Sequence, residues 1–262
     1  MKFSIVKFSK ICVSLVVVNL LLIGIIEAKI DPDTLIGVWL FDENSGNKAK
    51  DSSGNDHHGE LKGAKWANGR FKTALEFGGD AHVNVGKVPL PKNQVTVVLW
   101  VSINTSSQWI HIIENGVVEF TWHGGFRLEV GGEGSTYIAI GDGVGYKDNA
   151  GNGVPTGWKY KKWFHLGFTY DGSTARHYQD GKQTHTFDSK LDITKGVGTL
   201  IFGSMQGKQR FLDGAIDDVA IFNAILSQDD IKTIMKTGLE GALDVSSSGK
   251  LATTWAYLKT QQ

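Results

Sequence analysis

Between residues 42 and 59 the chain reads DENSGNKAKDSSGNDHHG, a run in which carboxylates, amides and hydroxyls crowd between glycines. Calcium binds several oxygens at once, drawn from carboxylates, amide carbonyls and backbone carbonyls in glycine-rich turns. Asp51 and Asn55 are the first candidates in this loop for such a role. The plainer alternative is that Asp, Asn and Ser simply close turns, since their side chains bond their own backbone unaided. His57-His58 invites a zinc reading, but neighbouring residues on a strand point to opposite faces. No second histidine pair matches them and the eight histidines are scattered, so no transition-metal site is expected.

Sugar hydrolysis would need two carboxylates facing each other across a cleft, about 5 Å apart in retaining enzymes. The acidic pairs available are Glu114 with Glu119, Glu129 with Glu133, and Asp217 with Asp218. Asn115-Gly116 interrupts the first pair and Gly131-Gly132 the second. The third consists of neighbours that face oppositely on a strand. The sequence contains no Gly-x-Ser-x-Gly elbow and no His-Glu-x-x-His helix. The only cysteine, Cys12, lies in the apolar N-terminal stretch. No catalytic residue is assigned, and the chain is read as a binding protein.

Aromatics offer a different chemistry. Trp39, Trp100 and Trp163 sit in strongly apolar runs and read as core. Trp109, Trp122, Trp158 and Tyr146 are flanked by glycine, asparagine, serine or lysine. Exposed aromatic faces pair with the C–H faces of sugars and with protein partners. Trp122, Tyr146 and Trp158 are therefore the expected ligand-binding residues, the alternative being edge packing. The glycine-rich stretch 141–157 has little packing power and is expected to be a mobile loop carrying function.

The elements that must position these groups are strands. Short β-rich runs recur, each closed by turn residues: 35–41, 74–77, 82–85, 95–103, 109–113, 117–122, 126–130, 137–140, 163–171, 175–179, 182–187, 199–202 and 215–222. Asp171-Gly172 and Asp180-Gly181 are hairpin signals, because such turns want positive φ at the central residues. The run VTVVLWVSI (95–103) reads as a strand buried on both faces. One helix is expected after Ser227 as N-cap, with Asp229 and Asp230 in its first turn and Gly238 closing it. About a dozen strands with hairpin connections and no βαβ rhythm imply a two-sheet antiparallel sandwich.

Lys2, Lys7 and Lys10 precede a stretch (11–26) that is apolar except at Ser14, Asn19 and Gly24, and Ala28 follows. That is the build of an export signal, and the stretch is shorter than the ~20 residues of a membrane anchor. The chain therefore divides into a signal peptide (1–28), one domain (29–240) and a tail (241–262). Removing the signal takes three lysines and one glutamate from 27 basic and 27 acidic residues, leaving a net charge of −2. A nucleic-acid binder would carry a basic excess, so nucleic acid is excluded. No further long apolar run exists, so no membrane span is expected after cleavage.

Three separated segments resemble one family. GVWLFDENSGNKAKDSSGNDHHGEL (37–61) with GRFKTALEFGGDAHVNV (69–85) is similar to the opening of laminin-G-like, concanavalin A-like domains in bacterial secreted proteins. WFHLGFTYDGSTARHYQDGKQ (163–183) is similar to their central strand and hairpin, and FLDGAIDDVAIFNAILSQDDIKTI (211–234) to their closing strand and helix. The resemblance implies a jelly roll with a short C-terminal helix and recognition of glycans or an extracellular protein. It also implies a structural calcium ion clamping the chain ends, with Asp217 joining Asp51 and Asn55, and Asp42 and Asp218 as alternates. The expectation is thus a secreted, cell-surface or periplasmic binding module. The alternatives are a divergent glycoside hydrolase or polysaccharide lyase on the same fold, or a structural surface domain.

Overall fold

The computed structural model describes residues 30–105, 109–116, 123–132, 134–149 and 153–243. The strands in chain order are β1 (Leu35–Trp39), β2 (Lys48–Ala49), β3 (Gly59–Lys62), β4 (Lys65–Asn68), β5 (Thr73–Gly78), β6 (His82–Lys87), β7 (Val95–Thr105), β8 (Ile110–Gly116) and β9 (Phe126–Val130). They continue with β10 (Ser135–Gly141), β11 (Tyr146–Asp148), β12 (Val154–Pro155), β13 (Trp163–Tyr170), β14 (Thr174–Gln179), β15 (Lys182–Asp188), β16 (Thr199–Phe202) and β17 (Asp213–Phe222), followed by the helix α1 (Gln228–Leu243). One sheet runs β15-β14-β13-β7-β17-β5-β4, with β1 also on β17. The other runs β11-β10-β9-β8-β16-β6-β3-β2, with β12 also on β10. Every strand pairing is antiparallel. The protein is an all-β, two-sheet jelly-roll sandwich with a C-terminal helix.

The apolar strand expected at 95–103 is β7, the centre of the first sheet. Val97, Leu99, Val101 and Ile103 face the second sheet, while Val98 faces the opposite way, into a smaller cluster with Val38, Phe222, Ile231, Ile234 and Leu239. Burial on both faces explains why its sequence lacks alternation. The smaller cluster is α1's packing surface. Each fully buried Ile or Leu there contributes about 1.5–3 kcal/mol.

α1 begins as its sequence predicts. Ser227 Oγ accepts from the backbone N–H of Asp230 (3.1 Å), and Asp230 Oδ2 accepts from Ser227 N–H (2.9 Å), a reciprocal cap. Gly238, with φ 74°, breaks the helix where a C-cap is expected. A further turn then reaches Leu243, with Leu239, Ala242 and Leu243 buried. At the 180–181 hairpin, Asp180 (φ 49°) and Gly181 (φ 71°) both occupy the left-handed region. A Cβ at Gly181 would also lie 2.8 Å from Lys232 Cγ, so α1 packs directly onto this turn.

Two regions differ from the sequence reading. Residues 48–68 hold three extra short strands, β2, β3 and β4, whose polar composition hides them. The stretch 141–157 is not a plain loop over its described residues, because β11 and β12 within it both pair with β10. The expected strand at 117–122 lies outside the described residues.

Candidate functional site

Alternation in β9 places Phe126, Leu128 and Val130 in the core and sends Arg127 and Glu129 to the outer face of the second sheet. In β8 the register shifts between His111 and Ile113. Such a bulge inserts one residue, so His111 and Glu114, three apart, reach that same face while Ile112 and Ile113 are both core. Strict alternation would have separated them, which is why the sequence reading did not join them.

Register then aligns one residue from each of eight strands: Lys48, Glu60, Asn84, Ile201, Glu114, Arg127, Ala139 and Asp148. Each stands directly opposite the next. At the usual ~4.8 Å between strands, the seven steps span about 34 Å. A second, shorter row alongside holds His111, Glu129 and Tyr137.

The middle of this face is a sealed polar network. Glu114 Oε2 lies 2.8 Å from His111 Nδ1, and Glu114 Oε1 accepts from the Gln206 backbone N–H at 2.6 Å. Glu129 Oε1 accepts from Arg127 Nε and lies 3.5 Å from His111 Nε2, and Glu129 Oε2 lies 3.6 Å from an Arg210 guanidinium nitrogen. His111, Glu114, Arg127 and Glu129 are all buried. Gln206 and Arg210 belong to the connection between β16 and β17, which also returns the Arg210 carbonyl to His111 N–H (3.1 Å). That connection is therefore tied down over the centre of the row.

At the β11 end the face turns aromatic. The Arg127 guanidinium lies 5.0 Å from the Tyr146 ring centre and 5.5 Å from that of Tyr137. His123 stacks on Tyr146 and Trp109 packs edge-on against Tyr137. Tyr137 donates to Asp148 Oδ2 at 2.5 Å, and burial with that carboxylate pushes its hydroxyl far above the usual tyrosine value. The β10–β11 turn is braced by Asp142 Oδ1, which accepts from the N–H groups of Val144 (3.0 Å) and Gly145 (2.8 Å). These bonds hold the Asp142 carboxyl below its ordinary pKa. They present Val144 (83 % exposed) and Tyr146 (40 % exposed), two large apolar side chains open to solvent.

Of the two described residues expected to bind ligand, Tyr146 stands at this surface. Trp158 is a correction. It is 3 % exposed, stacks on Phe164 at 5.4 Å, and donates from Nε1 to the Ser135 carbonyl. Its glycine and lysine neighbours gave it the look of a loop residue, yet its ring closes the core. Trp122, Glu119 and Glu133 lie outside the described residues. Trp109, half-buried, rests on Gly131, where a Cβ would stand 2.6 Å from its ring. Trp39 and Trp100 are core as expected, whereas Trp163 is only half-buried.

The residues expected to hold calcium do not form one donor set. Asp51 Oδ1 accepts from Val38 N–H and Ser53 N–H, and Oδ2 from Ser53 Oγ and His57 N–H, all at 2.9–3.0 Å. Asn55 spends its amide nitrogen on the carbonyls of Leu35 and Ile36. Asp217 shares no partner with either: it accepts from Phe71 N–H and Asp218 N–H. Near the alternates, the Lys72 ammonium lies 3.1 Å from Asp42 and 2.5 Å from Glu240. Among the described residues no three His, Cys, Asp or Glu side chains are grouped as a metal would require.

Asp217 and Asp218 have another consequence. Both are buried at the bulge in β17, with the 69–72 turn over Asp217 and the Leu239 N–H on Asp218 (2.8 Å). Burial pushes Asp217 up to about 8, helped by the neighbouring Asp218 charge, and burial pushes Asp218 up to about 7. A carboxyl whose folded value exceeds its unfolded one keeps its proton preferentially in the folded state, so stability falls as pH rises. Buried His165 and His177, lowered by burial to about 3, act oppositely, but only below the ordinary imidazole value of 6.5. Between pH 6.5 and 8 the aspartates act without that opposition. Urea unfolding should lose about 2 kcal/mol across that window, and Asp217→Asn should flatten the slope. A midpoint that stays level or rises with pH would refute the assignment.

The family model for the laminin-G type of the concanavalin A-like lectin/glucanases superfamily matches residues 77–232. No curated protein matches the sequence. Among solved structures, domain 4 of AbnA, a GH43 extracellular arabinanase from Geobacillus stearothermophilus in complex with arabinotriose, aligns at TM-score 0.60 and 20 % identity, covering 77 % of this chain and 98 % of that one. The botulinum neurotoxin serotype D binding domain aligns at TM-score 0.59 and 19 % identity, over 79 % of this chain and 52 % of its own. The binding domain of botulinum neurotoxin DC in complex with SialylT follows at 0.57 and 17 %, over 78 % and 52 %. The chain thus spans about half of each toxin domain, and at these identities the likeness is one of fold. With two antiparallel sheets in jelly-roll order and a family match across most of them, the chain belongs to the laminin-G-type family of the concanavalin A-like lectin/glucanases superfamily.

Proposed function

We propose that this protein is an exported, non-catalytic module that recognises a glycan along the outer face of the nine-stranded sheet. The observation that supports it is the state of the two carboxylates on that face. Three of the four oxygens of Glu114 and Glu129 are hydrogen-bonded, to His111, Gln206 and Arg127, and the fourth faces the Arg210 guanidinium in an ion pair at 3.6 Å. A hydrolytic pair must offer one proton to the leaving group and one free oxygen to the sugar or water. Here the pair instead holds Arg127 against Tyr146 and pins the β16–β17 connection, so it acts as a scaffold. The solved neighbours add support: AbnA domain 4 is in complex with arabinotriose and the neurotoxin DC binding domain with SialylT. The 1–28 segment supports export, and no helix among the described residues is long and apolar enough to cross a membrane.

The hydrolase reading retains one observation in its favour, that Glu114 and Glu129 share a face and a single histidine. One set of measurements separates the two. Tyr146→Ala should weaken retention on an immobilised glycan about tenfold, in keeping with loss of a stacking and cation–π surface. It should change stability by no more than ~0.5 kcal/mol, as befits a surface site. The same glycans should release no reducing ends on prolonged incubation. Release abolished by Glu114→Gln or Glu129→Gln would establish the hydrolase instead.

A further inference from the structure

At the opposite end of the eight-residue row the face opens into a groove of about 500 Å³ lined by Asn47, Lys48, His58, Glu60, Asn84 and the neighbouring backbone. Two of its polar side chains, His58 and Asn84, are oriented by bonds to the chain's own backbone. His58 Nδ1 accepts the backbone N–H of Asp51 at 3.0 Å. That ring nitrogen therefore carries no proton, and Nε2 must be the N–H that remains. Its nearest acidic neighbour, Asp56 Oδ1, stands at 3.7 Å, beyond hydrogen-bond length. Asn84 Oδ1 accepts Gly86 N–H at 2.9 Å, so its carbonyl is spent and its NH₂ remains. Lys48, exposed and directly opposite Glu60, adds an ammonium. The one carboxylate in its lining, Glu60, is paired with Lys62 at 2.5 Å, and the exposed Asp56 carboxylate lies outside the lining.

The groove therefore presents an excess of donors from three strands or their flanks, with the exposed Asn47 amide as its one neutral side-chain acceptor. A sugar hydroxyl brings a donor of its own as well as acceptor lone pairs, and so uses an excess of donors less fully. A group with acceptors only, namely a carboxylate or sulfate oxyanion, matches this donor set. We propose that this groove binds the acidic group of a charged glycan, either a uronic carboxylate or a sulfate ester, at the end of the row away from Tyr146. The proposal rests on the glycan reading above and assigns its ligand a charge.

The test compares matched polymers on the full chain by affinity electrophoresis: polygalacturonate against its methyl ester, and dextran sulfate against dextran. At least one acidic member should bind about tenfold more tightly than its neutral counterpart. Preference in the first pair identifies a carboxylate and in the second a sulfate. Asn84→Asp keeps the oxygen that Gly86 needs while replacing the donor with a negative charge. It should erase the preference with unchanged melting, and Lys48→Met should do likewise. Lys232→Met, on α1, controls for general attraction and should leave the preference intact. Equal binding within both pairs, or a preference that survives Asn84→Asp and Lys48→Met, would overturn the proposal. Tyr146→Ala should weaken acidic and neutral polymers alike. If it alone has no effect, the glycan face fails while the groove stands.

Discussion

Replacing Asp51 with alanine should lower the unfolding free energy by about 4 kcal/mol, a drop in Tm of roughly 8–16 °C for a domain of this size. The residue is 4 % exposed, and its two oxygens accept three backbone N–H groups and one hydroxyl. A hydrogen bond to a charged group contributes about 1.5–3 kcal/mol. Water can reach part of a surface loop, so four such losses will not sum in full. The bond to Val38 N–H matters most, because it joins the 51–58 loop to β1, whose residues face both cores. The loss should be equal in chelator and in calcium. If Asp51→Ala melts like the parent in chelator and differs only when calcium is added, the carboxylate is a metal ligand and the loop reading is wrong.

Trp158→Ala should cost a similar amount, about 3–5 kcal/mol, as for a large aromatic removed from a core. Its ring lies between Phe164 (14° interplanar) and Tyr160 (87°), and its Nε1 bond to Ser135 joins the 153–160 segment to β10. Cutting it leaves a cavity and removes the shorter of the two hydrogen bonds to the Ser135 carbonyl, the other coming from Gly131 N–H. Urea unfolding should show the loss, while glycan retention at a temperature where the variant is still folded should match the parent. Normal stability with lost retention would return Trp158 to the binding surface.

These two residues mark where sequence reading stops. Strands read well where the cause is local: the Asp-Gly hairpins, the two-faced apolar run of β7, and the Ser227 cap with the Gly238 break all follow from the residues at the spot. Asp51 was visible as an oxygen-rich position, but composition cannot say whether an oxygen faces a cation or a neighbouring N–H. Trp158 sits among polar neighbours and is buried by rings up to six residues away. Glu114 and Glu129 each stand out in the sequence, but beside Glu119 and Glu133, which lie outside the described residues, and not beside each other. Only the β8 bulge, which local sequence does not announce, turns Glu114 and His111 onto one face beside Glu129.

The eight-strand row carries a further consequence. Its members come from positions 48 to 148 plus Ile201, so the surface has no meaning in any fragment of the chain. A slip of one residue in any contributing strand would turn that member to the opposite side of the sheet. Retention on glycan is then a sensitive assay of correct refolding, because a mispaired species could regain strand content while failing to bind. Pairing over such long sequence separations is slow. During refolding, circular dichroism should therefore recover before glycan binding does.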